Sequence, residues 1–251
     1  MILLTGCAVQ PYLYLPDNPN MPLASNKGEI KGNLALGTDG GEIQGSYCID
    51  SHVVVCANIS YSYIIAYKAG APADYPPNKM GNYIGDISSG YYTKISHHGR
   101  FELLGGAGYG YTNSYAHNIW EGLSNDPLVI ANCRFAHLFA QADIGVVKRN
   151  IDFGFGIRLS DLLTSGTASF STFDKGNLVS TTNGTLNGSA AFLEPCIMLS
   201  FGADKIKLKL SAGFSARISG HEFPILENFD YGSSYDPLFA SAGLEINLFR
   251  K

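Results

Sequence analysis

From Glu29 onward, apolar and polar residues alternate with a period of two rather than 3.6. The clearest stretch is 205–218. There Ile206, Leu208, Leu210, Ala212, Phe214, Ala216 and Ile218 share one face, and Lys205, Lys207, Lys209, Ser211, Gly213, Ser215 and Arg217 share the other. A helix would mix these two sets. The last stretch, 237–249, repeats the device: Leu238, Ala240, Ala242, Leu244, Ile246 and Leu248 stand opposite Phe239, Ser241, Gly243, Glu245, Asn247 and Phe249. Similar segments lie near 29–37, 42–49, 53–66, 83–95, 100–113, 130–147, 151–163 and 190–202. The pattern predicts about ten strands.

The connections carry independent information. Asp50-Ser51-His52, Ser96-His97-His98-Gly99, Lys148-Arg149-Asn150 and Ala203-Asp204 are tight. The alternate connections, 67–82, 114–129, 164–189 and 219–236, are long and polar, and Thr38–Gly41 is the short exception. Barrels of the outer membrane sort their loops in this way, with short periplasmic turns and long outer loops. A soluble sandwich has no reason to do so. The expected fold is therefore all-β: an up-and-down antiparallel transmembrane β-barrel. An even strand count puts both ends on the periplasmic side.

Composition agrees. Charged residues are 15 %, aromatics 12 %, and there are 29 Gly. Low charge with much Tyr, Phe and Gly suits an outer wall that does not meet water. A net charge of -4 gives no basic patch, so no nucleic-acid partner is expected. No apolar run is long enough for a spanning helix.

The parity divides wall from lumen. Ile30, Leu34, Leu36, Val53, Val55, Ile59, Leu103, Ala107, Leu138, Ala140, Ala142, Ile144, Phe153, Phe155 and Ile157 face out. Tyr61, Tyr63, Tyr67, Tyr109 and Tyr111 gather at the outer strand ends, and Tyr91, Phe101, Phe201 and Phe249 near the opposite ends, as interfacial girdles do. Glu29, Lys31, Glu102, Asp143, Asp152, Arg158, Glu194, Lys207, Lys209, Arg217 and Glu245 face in, among Gly106, Gly108, Gly110, Gly154 and Gly156. Buried charges must pair. Lys209 with Glu194 or Glu245 is the expected kind of pair. A barrel of this size is barely wider than side chains can fill. A braced, filled interior is thus expected over the alternative of a small-solute or ion pore.

The amino terminus reads Met1-Ile2-Leu3-Leu4-Thr5-Gly6-Cys7. Leu4–Cys7 has the form of a lipobox, after an apolar stretch short for a signal peptide. Cys7 is the expected lipidation site, which would anchor the chain to a membrane leaflet. The chain divides into a truncated signal and lipobox (1–7), a Pro/Asn-rich tether (8–28) and the barrel (29–251). The remaining cysteines, Cys48, Cys56, Cys133 and Cys196, match no metal pattern and read as small wall residues; a Cys48–Cys56 bridge would be diagonal.

Signals for chemistry are thin. His117, Asp126, Asp161, Asp174, His221, Glu222, Asp230 and Asp236 lie in or near the outer loops, where an acid and a His could form a general base. Scattered polar residues are also what solvated loops contain, and neither a GxSxG elbow nor an HExxH pair exists. No catalytic residue, metal or cofactor is expected; an outer-membrane enzyme at the loop rim is the minor alternative. A lipocalin-like carrier would need the opposite parity, apolar inside. His97-His98 reads as a solvated turn, and the Asn58-Ile59-Ser60 and Asn183-Gly184-Thr185 sequons carry little weight.

Pro22-Leu23-Ala24-Ser25-Asn26-Lys27-Gly28-Glu29-Ile30, after a lipobox and a Pro/Asn stretch, resembles the start of a family of lipobox-bearing outer-membrane barrels of unassigned function. The likeness continues at Glu42-Ile43-Gln44-Gly45-Ser46-Tyr47, Phe192-Leu193-Glu194-Pro195 and Lys205–Leu210. The resemblance implies a porin-like barrel of a Gram-negative outer membrane and supplies no catalytic residue. Its expected partners are outer-membrane lipid, the barrel-assembly machinery and a surface ligand met through the outer loops.

Overall fold

The computed structural model describes residues 14–38, 40–66, 77–117, 128–174, 177–220 and 238–248. Among these residues no helix occurs. The strands are β1 (Ile30–Gly37), β2 (Gly40–Cys48), β3 (Val53–Ala66), β4 (Asn78–Lys94), β5 (Gly99–His117), β6 (Leu128–Val147), β7 (Ile151–Asp174), β8 (Asn177–Thr185), β9 (Gly188–Gly202), β10 (Ile206–Phe214), β11 (Ala216–Gly220) and β12 (Leu238–Asn247). Each pairs antiparallel with its neighbours, and β1 pairs with both β2 and β12. The wall therefore closes on itself, which removes its edges; among the described residues β8 pairs only with β7 and β11 only with β9.

The closed wall has ten strands, because two pairs of segments share a position. β8 and β9 follow one another down the same edge of β7, with a break at Leu186 and Asn187. β10 and β11 both pair with β9 and are separated only by Ser215; the register shifts between Arg217 and Ser219.

The stretch 164–189 is not the irregular loop its polarity predicts. β7 runs on to Asp174 and returns as β8. Hydroxyls pair across this extension: Ser169 Oγ donates to Asn183 Oδ1 at 2.7 Å, and the Thr172 and Ser180 hydroxyls lie 2.7 Å apart. Thr and Ser suit a solvated hairpin as well as a loop, and polarity alone does not separate the two. The tight connections fall where the alternation put them, between β2 and β3, β4 and β5, β6 and β7, and β9 and β10.

Wall parity follows the sequence. Leu34, Ile59, Leu138 and Ile144 are about half or more exposed, while Asn33, Asn58, His137 and Asp143 beside them are buried. The apolar face thus points away from the barrel axis all round the sheet. On β4, Tyr83 and Tyr91 mark the two ends of this face, as Tyr109 and Phe101 do on β5. Along a tilted strand those pairs stand roughly 20 Å apart.

Candidate functional site

The lumen is occupied by the chain's own amino-terminal segment. Every residue from Tyr14 to Ser25, in the stretch read as a tether, is buried. At the short-turn end, Asn26 Oδ1 accepts from Lys94 Nζ, and Lys27 pairs with Asp50 at 3.6 Å. Farther up, Asn20 bonds Gly45 and Asn58, and Asn18 bonds Glu42. Tyr14 sits highest, against Phe135 and Phe192 with ring centroids 5.5 and 5.4 Å away. Followed from Tyr14, the segment descends the lumen from the long-connection side, turns at Asn26–Gly28 and enters β1.

Repeated Pro explains why it runs extended without joining the sheet. Pro16, Pro19 and Pro22 have no N–H to offer a ladder. Several of its other backbone groups are met by side chains around the lumen. Glu102 accepts from the amides of Leu23 (3.1 Å) and Ala24 (2.6 Å), and Glu29 from those of Ser25 (2.8 Å) and Asn26 (3.2 Å). Lys31 Nζ donates to the carbonyls of Pro22 and Leu23. Gln44 and Gln141 donate to those of Asn18 and Asn20, each at 2.9 Å.

Charge pairing centres on Arg158. Its Nε donates to Glu194 at 2.6 Å, and its Nη2 to the carboxylate and carbonyl of Asp17. Glu194 also accepts from Tyr14, Ser160 and Ser215. Lower down, Lys207 meets Asp152 at 2.6 Å, and Lys31 meets Glu29 at 3.6 Å. Burial raises the pKa of Glu29, just outside β1, but Lys31 and the amides of Ser25, Asn247 and Asn26 outweigh it, and its carboxyl titrates below the ordinary value.

Ten of the eleven inward charges read from the sequence are buried: Glu29, Lys31, Glu102, Asp143, Asp152, Arg158, Glu194, Lys207, Lys209 and Glu245. Arg217 keeps the inward parity, opposite Phe192, but is exposed at the rim. Lys209 does not make the expected pair; its Nζ donates to Gln44 at 3.0 Å, because Arg158 already holds Glu194. Glu245 lies across from Lys207 and Asn33. Glu102 and Asp143 are direct cross-strand partners, two acids opposite each other.

Five further acidic, basic or histidine side chains are buried in the interior that the sequence did not single out: Asp17, Glu42, Asp86, Arg100 and His137. Strand parity marks all but Asp17, since each stands at a position between outward apolar residues. Asp17 carried no signal, because a Pro-rich segment reads as solvated. The His137 ring stacks on Phe139 at 5.1 Å, and neither nitrogen has a partner among the described residues.

Small residues make the room. A Cβ on Gly156 would lie 2.4 Å from Asp143 Oδ1 and 3.0 Å from Met21 Sδ; one on Gly110 would lie 2.1 Å from the Phe135 ring. Beside the segment, near Asp17 and Glu42, lies a cavity of about 10 Å3, on the order of a single water.

Of the loop-rim candidates for chemistry, Asp161 faces outward from β7, exposed. The backbones of His117 and Asp174 end β5 and β7, and their side chains lie outside the described residues, as do Asp126, His221, Glu222, Asp230 and Asp236. Cys7, Tyr67 and Phe249 also lie outside them. Cys48, Cys56, Cys133 and Cys196 are free and buried. No group of three metal-ligating side chains occurs among the described residues. No protein-family profile and no curated protein sequence matches the chain.

Proposed function

We propose that this protein is an outer-membrane barrel of a Gram-negative bacterium, closed by its own amino-terminal segment, with a structural or surface-interaction role. The carrying observation is the combination of an inverted exterior and a filled interior. Leu36, Ile43, Ile59, Ile87, Leu138 and Leu244 are each more than half exposed around the wall. Soluble monomers rarely present so extended an apolar surface, and lipid would cover it. The short turns then face the periplasm, and the β7–β8 hairpin and long connections face out.

The interior argues for a plug rather than a passage. Residues 14–25 meet the wall's charged groups through backbone hydrogen bonds and the Asp17–Arg158 ion pair. A Cys7 acyl anchor and membership in the lipobox-bearing family belong to the same reading and rest on the amino-terminal motif. Among the described residues no assembly of side chains favours an enzyme.

The test is membrane fractionation with gel mobility of heated and unheated protein in detergent. Outer-membrane recovery and heat-dependent migration are expected; full solubility without detergent would overturn the membrane assignment.

A further inference from the structure

A groove of about 550 Å3 opens on the outward face of β3, β4 and β5, toward their long-connection ends. Its floor is Gly81, which stands in register between Tyr63 and Asn113. The row on its short-turn side is Tyr61, Tyr83 and Tyr111, with the Tyr83 and Tyr111 rings 5.8 Å apart. The row on its other side includes Lys79, exposed. Tyr111 Oη donates to Asn132 Oδ1 at 2.9 Å, and Asn113 Nδ2 donates to the same oxygen, which fixes both side chains at the groove's edge.

The surroundings select the occupant. Toward the short turns the groove runs onto wall that is apolar and shallow: Gly85, Ala57 and Ala107 flank the exposed Ile59 and Ile87. A ligand that fills the groove and continues along this wall must itself be polar at one end and apolar at the other. Its polar end meets ring faces, hydroxyls, an amide and one ammonium. Tyr rings offer flat apolar area with a polar tip, Asn and Tyr serve hydroxyl groups, and Lys binds phosphate as a point charge. A volume of about 550 Å3 is far more than a phosphate fills and is in the range of small-ligand sites.

We infer that this groove binds the phosphorylated sugar headgroup of a glycolipid, with the acyl chains lying along the wall over Gly85, Ile59 and Ile87. The inference rests on the outer-membrane reading and adds a lipid class and a site to it. It makes the tyrosine belt on this side of the barrel a selective contact rather than a general interfacial anchor. Gly81 is the specificity-determining position, because any larger side chain there would fill the floor.

The full chain, purified in neutral detergent, is titrated with a bis-phosphorylated diglucosamine lipid and observed by native mass spectrometry. The comparison ligands are its dephosphorylated form, phosphatidylethanolamine, and the phosphorylated sugar without acyl chains. One glycolipid per chain is expected, held at least about tenfold more tightly than any comparison ligand. Lys79→Glu should weaken it about tenfold, and Gly81→Leu should abolish the preference. Leu34→Ala, on the outward face of another strand, should leave it unchanged. Heat-dependent gel migration of each variant reports the fold. Equal retention of all ligands, or unchanged binding in folded Lys79→Glu and Gly81→Leu variants, would overturn the groove. Equal binding of the acyl-free sugar would overturn the lipid assignment. A chain that is fully soluble without detergent overturns the membrane reading instead, a separate observation.

Discussion

Arg158 on β7 and Glu194 on β9 are direct cross-strand partners, and the guanidinium Nε lies 2.6 Å from the carboxylate with both side chains fully buried. The same guanidinium reaches Asp17 at 3.0 Å. One cation thus ties two wall strands to the segment that fills them. Removing it leaves two buried carboxylates without their partner, a loss of about 3–5 kcal/mol for a broken buried pair. Arg158→Met should therefore lower the midpoint of unfolding in detergent, read by loss of heat-dependent migration. Arg158→Lys, which keeps the charge and loses the fork, should fall between that variant and the parent.

Glu102 and Asp143 stand opposite each other, and the amides of Leu23 and Ala24 supply Glu102 with its donors. Glu102→Gln removes one of the two facing acids and weakens the bonds that hold the segment. The folded barrel should persist while thiol reagents gain access to the new thiol of Ala24→Cys. Unchanged access would mean that Glu102 does not hold the segment.

Gly156 leaves no space between Asp143 and Met21. Gly156→Val should crowd Met21 and cost about 1–3 kcal/mol, the usual range for overpacking. Its effect should shrink in a Met21→Ala background. Additive losses would show that the two positions do not share the space.

The outward face makes the opposite demand. Ile87 is 69 % exposed in the middle of β4. In lipid, Ile87→Arg should destabilise the barrel by about 2–4 kcal/mol; in water the same change would be near neutral. Unfolding from lipid vesicles measures the difference directly.

Glu29 gives a pH dependence. Its folded pKa lies below the ordinary 4.5 because Lys31 and the neighbouring amides overcome burial. A carboxyl depressed in the folded state stabilises fully above its unfolded value and loses that stabilisation as pH falls through the folded one. The parent should therefore lose stability below about pH 4.5 more steeply than Glu29→Gln. Parallel curves would contradict this.

The wall of this barrel is legible in the sequence because two constraints act on every residue at once. A residue such as Lys207 must alternate with Ile206 and Leu208 whatever its role, so parity alone assigned its face. The same rule would have placed Glu42, between Gly41 and Ile43, and His137, between Ala136 and Leu138. Ion pairing was less legible. Lys209 and Glu194 share the inward face, but Glu194 takes Arg158, its direct register partner, and side-chain reach rather than charge sign decides that choice. The plug was not legible at all. Pro16, Pro19 and Pro22 forbid a ladder strand, and the same prolines describe a free tether or an extended segment held by Glu102, Lys31 and Gln44. Only the wall's positions distinguish them.

The plug is tested most directly by single-channel recording of the reconstituted full-length barrel beside a variant lacking residues 14–25, with Glu102→Gln/Lys31→Gln as a second variant that keeps the chain intact. The parent should show no steady conductance, and removing or loosening the segment should produce discrete openings. Steady conductance in the parent, or a silent bilayer with both folded, inserted variants, would contradict a lumen closed by Tyr14–Ser25.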